Sequence, residues 1–507
     1  MKFKSYFVYA LMAGISMASV SCSDDETVAE GGLYQWGDDN GAMSCNNVLF
    51  NADGSENPNG TVIGNGSQDF VFKGTQTLKK GTYLLKGWVY IANGSQLTIE
   101  PGTVIKGDKG TMAALIVEKG GKLIAQGTAT EPIVFTSNSP KGQRKPGDWG
   151  GVIICGQARN NQEDMQIEGG PRTHHGGSND ADNSGVLSYV RIEFAGYPFQ
   201  PDQEINGLTL GSVGSGTKID HVQVSYSNDD SFEWFGGTVD CKYLIAYKGW
   251  DDDFDTDNGF SGNVQFCLSV RDPRIADTSN SNGFESDNCS DGYNIAPLTT
   301  CTFSNVTFVG PVGRDNFANT ANEYINGGAY FPNNGSALGK FQSAMQIRRG
   351  SSLNCFNSVA VGFPIGLIID GQRGNTVDLA KNGDVKVQNV WFAGMDILGS
   401  DFNGIYDDVL YDAVNDAVID ANQVSYSHTY FMSQPGNRVF DDASELMLAD
   451  ACNMGVNFMP QSGSPLLGAA SFDGVDGMET VNYIGAFDAN DDWLDGWTNF
   501  DPNNADY

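Results

Sequence analysis

"IDHVQVSY", residues 219–226, and "LSYVRIEFAG", residues 187–196, share one pattern, an apolar residue three positions before a valine. The pattern returns in Phe303–Phe308 (FSNVTF), Phe356–Val361 (FNSVAV) and Val387–Gly394 (VQNVWFAG), often with Asn or His in between. Tyr243–Tyr247 and Val264–Leu268 fit it more loosely, and the closest spacing, Val222 to Leu244, is 22 residues. Repetition at such a period marks a stacked solenoid. Upstream, QLTIEPGTVI and KLIAQGTATEPIVF are two versions of one strand–turn–strand unit. Coils of short strands at this spacing predict an all-β chain, a right-handed parallel β-helix, with coils about 4.8 Å apart and inward residues in apolar columns. A sandwich or propeller would need hairpins and near-constant blades. Here variable insertions, such as residues 157–185, separate strands of similar length.

Composition agrees. The 507 residues are 40% hydrophobic, in short bursts punctuated by 64 glycines. That supports a folded core of strands and turns. The net charge of −33 repels nucleic acid and anionic membranes, so no nucleic-acid partner is expected. Nine cysteines are present, none in a C-x-x-C pair, which argues against a zinc ribbon. Eight remain beyond Cys22, an even number compatible with disulfides in an exported protein. Cys267, within the strand-like VQFCLSV, suits a buried thiol as well as a bridge.

Lys2 and Lys4 precede an apolar stretch from Phe7 to Val20, the pattern of a secretory leader over residues 1–21. Ser19-Val20-Ser21-Cys22 resembles a bacterial lipobox, which implies lipid on Cys22. The following Ser23-Asp24-Asp25-Glu26 resembles the surface-export signal of Bacteroidota lipoproteins. The resemblance implies a lipid anchor in the outer membrane and a chain facing the cell exterior. No later stretch reaches 18 apolar residues, so lipid is the only anchor expected.

Four segments follow: the leader 1–21, a lipidated linker and start of an N-terminal cap 22–80, the β-helix 81–400, and a C-terminal cap 401–507. The last is read as partly helical from IYDDVLYDAVNDAVIDAN and DDASELMLADAC, with Asp441 or Asp442 as N-cap, before strand character returns in GSPLLGAASF and VNYIGAF. A cap would cover the final coil, whose open edge otherwise invites aggregation. LTIEPGTVIKG, GDWGGVIICG, LSYVRIEFAG, DDSFEWFGGTVD, DDDFDTDNGFSGNVQF and NYIGAFDANDDWLDGWTNF together resemble a family of Bacteroidota surface lipoproteins with a parallel β-helix. The resemblance implies fold and location but no reaction. The architecture is also similar to that of pectin-lyase-like carbohydrate enzymes and adhesins, an analogy of fold alone.

NDDSFEWFGG (228–237), WDDDFDTDNG (250–259) and NGFESDN (282–288) superpose on Phe232, Phe254 and Phe284. If these phenylalanines point inward, alternation sends Glu233, Asp255 and Glu285 outward, followed by Asp257 and Asp287. The preceding turns add Asp229, Asp230, Asp251, Asp252 and Asp253. Like charges one coil apart repel by roughly 3 kcal/mol at an effective dielectric of 20. Calcium would relieve this with its flexible oxygen shell; so would a retained proton, which suits general acid catalysis; so would solvent screening. The candidate calcium ligands are Glu233, Asp255, Asp257, Glu285 and Asp287, with the turn aspartates as a second group. The loop is not an EF-hand, because Asn258 replaces the required glycine and Val264 the bidentate glutamate.

Other residues read as structural. Trp234 and Trp149 suit the core, His174-His175 an exposed loop, His221 a hydrogen bond to Asp220, and Arg348-Arg349 the surface. Lys248, Arg271 and Arg274 lie near enough in sequence to serve a lyase, but nothing singles one out. The sequence thus points to a surface-anchored scaffold for binding or adhesion, to glycans for instance, with calcium as its one expected cofactor. The alternatives are a polysaccharide hydrolase or lyase using the acidic face, and an accessory lipoprotein of an outer-membrane uptake receptor.

Overall fold

From Gly185 onward each coil bends where a single residue leaves the extended region, whereas earlier coils bend through turns such as residues 100–103 and 127–132. At Tyr189, His221, Tyr243, Phe266, Asn305, Asn357 and Asn389, φ lies between 48° and 59°. Asparagine tolerates this left-handed conformation; an aromatic residue there costs roughly 1–3 kcal/mol. Stacking offsets the cost. Tyr189 lies 4.2 Å from His221, His221 4.4 Å from Tyr243, and Tyr243 5.1 Å from Phe266, all near parallel. Further along the same corner, Asn389 Nδ2 donates to Asn357 Oδ1 at 2.7 Å. The Asn or His before the repeated valine is therefore the corner residue of the coil.

The computed structural model describes residues 44–162, 164–200, 203–332, 334–449, 456–490 and 492–507. The leader, Cys22, Ser23, Asp24, Asp25, Glu26 and Cys452 lie outside these residues. Either side of a corner the strands pair in parallel. Ile219 and Asp220 face Cys241 and Lys242, while Val222 to Ser225 face Leu244 to Tyr247. One bent ribbon thus forms two faces of the solenoid. The remaining face is a sheet of twelve strands, from Ser44–Cys45 to Ile397–Ser400. The architecture is a right-handed parallel β-helix with a small helical part.

The inward column on that sheet is aromatic. Phe232, Phe254 and Phe284 pair in register, Met345 continues the column, and all four are buried. Full burial of each contributes roughly 1.5–3 kcal/mol. Trp234 and Trp149 are buried as expected. The seven described cysteines are all free, Cys267 among them.

Three expectations need correction. The ladder begins at Ser44 rather than near residue 81, because Phe70–Phe72 and Thr75–Leu78 already pair with later coils. Their strands are so short that the Asn/Gly turns around them dominate the sequence pattern. The stretch read as helical after residue 400 is an antiparallel hairpin, Leu410–Asp412 with Ala417–Asp420. Its turn is held by Asp412, which accepts from the Asn415 backbone and side chain. The helix lies later, at Tyr426–Ser433, where Phe431 stacks on Phe392 at 4.3 Å and covers the last coils. Asp442 is an N-cap, of the 3-10 turn Ala443–Leu446.

The third correction concerns the C-terminal end. GSPLLGAASF and VNYIGAF form no continuous strand and meet in a single antiparallel bridge, Leu467 with Tyr483; the chain from about residue 464 returns along the solenoid as an irregular strap. Ser471 N donates to Asn357 Oδ1, Glu479 N to Gln265 Oε1 and Asn499 N to Gln223 Oε1, at 2.8, 2.8 and 2.9 Å. At its end Lys106 Nζ donates to Tyr507 O at 2.7 Å. The corner aromatics explain the route. Their outer edges need cover, which Trp493 gives Tyr243 at 5.3 Å and Trp497 gives His221 at 5.7 Å.

Candidate functional site

Parallel register makes equivalent side chains of successive coils into neighbours. On the twelve-stranded face Glu233 pairs with Asp255, and Asp255 with Glu285. The preceding turns supply Asp229, Asp230, Asp251 and Asp252. Together with Glu168, Ser279 and Asn280, these seven carboxylates line a cavity of about 40 Å³. Such a volume exceeds the roughly 10–15 Å³ that one water molecule needs.

The outward-facing acids are not left open to solvent. Asp251 is 6% exposed and Asp255 7%, and Asp230, Glu233, Asp252 and Glu285 are also buried. Inserted loops close over them. Residues 157–184 bring Glu168, and residues 271–282 bring Ser279 and Asn280. Asn206 donates to Glu233, Ser279 Oγ donates to Asp251 Oδ2 at 2.6 Å, and Asp252 N donates to Asp230 Oδ1 at 2.8 Å. Asp251 Oδ1 and Asp255 Oδ1 have no hydrogen-bond partner among the described residues.

The acidic set divides further. Asp253 leaves it entirely. Fully buried, it accepts from Arg271 Nη1 at 2.8 Å and from Ser269 Oγ. Burial still pushes its carboxyl up to about 6, with Arg271 pulling it back. Asp287 is also engaged elsewhere, by Arg348 Nε at 2.8 Å and Arg349 Nη1 at 3.0 Å. Arg348 and Arg349, expected on the surface, are buried beside it, and Arg348 also pairs with Glu285. Asp257 is half-buried and accepts from the Asn258 backbone. Asp257 and Asp287 therefore do not line the cavity, whereas Glu233, Asp255 and Glu285 do. Missed in the sequence were Glu168, Ser279 and Asn280, which come from insertions with no periodic signal, and Asn206, which stands two residues before Leu208, in register with Asp230 and Asp252.

Electrostatics follow from this crowding. Burial raises the carboxyls of Asp230, Glu233, Asp251, Asp252 and Asp255 well above the ordinary range. Neighbouring carboxylates add to it: Asp229 beside Asp230, Glu168 beside Glu233, Asp277 beside Asp251, Asp251 beside Asp252 and Glu285 beside Asp255. Such a cluster must hold protons or a cation. Among the described residues two triads have the reach for a cation: Asp229, Asp230 and Asp251, and Asp230, Glu233 and Asp255, each with oxygens within 4.8 Å of one another. An all-oxygen donor set suits a hard ion such as calcium. For Arg348, burial opposes its charge, but Asp287 and Glu285 outweigh it and push its pKa up. That makes it a poor proton acceptor.

The histidines stand apart from this site. His221 Nδ1 lies 2.9 Å from Asp220 Oδ1, and His428 Nδ1 2.6 Å from Asp408 Oδ2. His174 and His175, expected in an exposed loop, form a short antiparallel pair with Met165–Gln166. His175 is fully buried, 2.8 Å from Ser212 Oγ, and burial pulls its pKa down to about 3. The unfolded chain takes that proton near pH 6.5, the folded chain only near pH 3. This contribution is therefore intact above pH 6.5 and lost as pH falls, at about 1.4 kcal/mol per unit. In urea unfolding at a series of pH values, His175→Gln is expected to be less stable at pH 7 but to lose less stability than the parent between pH 6 and 4. Parallel curves would refute the assignment.

A family model described as a pectate-lyase-like beta helix domain matches residues 71–424, more than half of the chain. Neither the curated proteins nor the solved structures yield a match.

Proposed function

Because the chain belongs to the pectate-lyase-like β-helix domain family, we propose that it is a carbohydrate-binding scaffold whose acidic cleft holds calcium. The family fits a carbohydrate-related role, in binding or in catalysis. The observation that carries the calcium reading is the cleft itself. Buried carboxylates converge on one small cavity, and two of their oxygens, on Asp251 and Asp255, have no hydrogen-bond partner among the described residues. A divalent cation would supply those missing contacts and cancel the repulsion.

Calcium titration with thermal melting tests this directly. Calcium is expected to raise the melting temperature by several degrees, and a chelator to reverse the rise. An unchanged melting temperature would remove the metal from the proposal.

Binding is preferred to catalysis because Arg348, which reaches the cleft at Glu285, is tied to Glu285 and Asp287, and Arg271 is tied to Asp253. A second reading, a polysaccharide hydrolase or lyase, draws on the raised carboxyl of Asp255 as a general acid. Turnover of an acidic polysaccharide that vanishes in Asp255→Asn would favour it over binding.

The scaffold is further proposed to sit on the outer membrane, held by lipid on Cys22 and facing outward. The support is the leader and the Cys22–Glu26 sequence. Fatty-acid labelling lost in Cys22→Ala, together with cleavage by protease added to intact cells, is the expected result.

A further inference from the structure

The strap that returns along the solenoid is held as a bound peptide would be. From residue 464 to 501 no described residue belongs to a strand. The ladder beneath closes without it, since Lys218–Ser225, Cys241–Tyr247, Asn263–Val270 and Thr302–Val309 pair in parallel with one another. What the coils offer the strap is a row of side-chain amides. Gln223 Nε2 donates to Asn499 O at 2.8 Å and Gln265 Nε2 to Glu479 O at 2.7 Å, and each glutamine also accepts from the backbone N–H of the same strap residue. Asn305 Nδ2 donates to Tyr483 O at 2.8 Å, and Asn389 Nδ2 to Ala469 O at 3.0 Å. These contacts read the main chain of an extended segment, as strand addition does.

Side chains add selectivity of two kinds. Trp493 and Trp497 cover the stacked corner rings, and Phe500 lies 5.0 Å from Tyr247. Charge is the second. Residues 464–507 contain nine aspartates and glutamates and no lysine or arginine. Their path is basic. Lys242 pairs with Glu479 at 3.3 Å and Lys141 with Asp506 at 2.8 Å. Arg144 Nη1 donates to Ala505 O at 3.1 Å, and Arg191 Nη1 to Trp497 O at 3.2 Å. Both guanidinium groups lie over the Tyr507 ring, at 5.0 and 5.8 Å, and the buried Glu193 accepts from its hydroxyl at 2.6 Å. In a chain of net charge −33, such a groove selects an acidic, tryptophan-bearing extended polypeptide.

We propose that the strap is exchangeable, and that this groove also takes the strap of a second copy of the chain. The segment that meets the groove in backbone, rings and charge is carried by every copy. Reciprocal exchange fills both grooves with the contacts already described and closes as a two-fold dimer. Seating within one chain is favoured by its high effective concentration, so exchange grows as the protein is concentrated.

Cross-linking between two full-length variants tests this. One carries Gln223→Cys and the other Asn499→Cys, and they are mixed below the melting temperature with a short bis-maleimide. A dimer linked between residues 223 and 499 is expected, its yield rising with concentration. The yield should exceed by roughly tenfold that obtained with Asp378→Cys, exposed on the helix Thr376–Asn382, in place of Asn499→Cys. Adding Trp497→Ser to the Asn499→Cys chain should cut it by about tenfold, as loss of a buried aromatic anchor does. A single chain carrying both cysteine substitutions reports seating within the chain. If that chain links to itself while the mixture gives no more dimer than the Asp378→Cys control, the strap is a fixed part of its own chain and the inference is overturned. A yield undiminished by Trp497→Ser would mark chance collision and overturn it equally. Linkage in neither would take the strap off Gln223 and remove the groove itself.

Discussion

Asp230→Asn is expected to melt higher than the parent in chelator and lower than the parent in calcium. Asp230 belongs to both triads whose oxygens lie within 4.8 Å of one another, so it would serve a cation in either. Asparagine keeps the size and the oxygen that accepts from Asp252 N at 2.8 Å. What it removes is one buried charge. Without calcium, that relieves repulsion of up to roughly 3 kcal/mol for each ionised neighbour at this spacing, so the variant gains a few degrees. With calcium it lacks a ligand, so the parent's gain by mass action is lost. Solvent screening alone predicts that calcium changes neither protein. A variant that is less stable under both conditions would show Asp230 to be an ordinary structural residue.

Arg271→Met is expected to be the most damaging single change, costing about 3–5 kcal/mol in urea unfolding, as removal of one partner from a buried ion pair does. Arg271 and Asp253 are both fully buried, and their atoms lie 2.8 Å apart. Arg271 also donates to the backbone oxygens of Asp251 and Trp250, at 2.5 and 3.3 Å, and lies 5.5 Å over the Phe341 ring. It thus holds the turn that presents Asp251 and Asp252 to the cleft. Arg271→Met combined with Asp253→Leu should recover much of the loss, because no uncompensated charge is left. It should not recover the calcium response, since the turn is no longer held. A loss below about 1 kcal/mol for Arg271→Met would refute this role.

Much of the architecture was legible because it depends on period and alternation. The repeated valine motif marked the repeat of the coils, and one phenylalanine per coil set the register that stacks Glu233, Asp255 and Glu285. The C-terminal return was not legible. Trp493 and Trp497 are scattered aromatics in one dimension and a cover for Tyr243 and His221 in three. Arg348 and Arg349 misled for the same reason, since two adjacent arginines read as surface charge until Asp287 and Glu285 are placed beside them.

The sequence by itself therefore determined the coil, its inward column and the axis along which the acids align, since these follow from local alternation repeated every coil. Tertiary structure alone decided which acids converge. Asp253 turned inward to Arg271, Asp287 went to Arg348 and Arg349, and Glu168 arrived from a loop more than sixty residues before Glu233. Burial, which makes the remaining carboxylates costly enough to require a proton or a cation, depends on insertions that carry no period of their own.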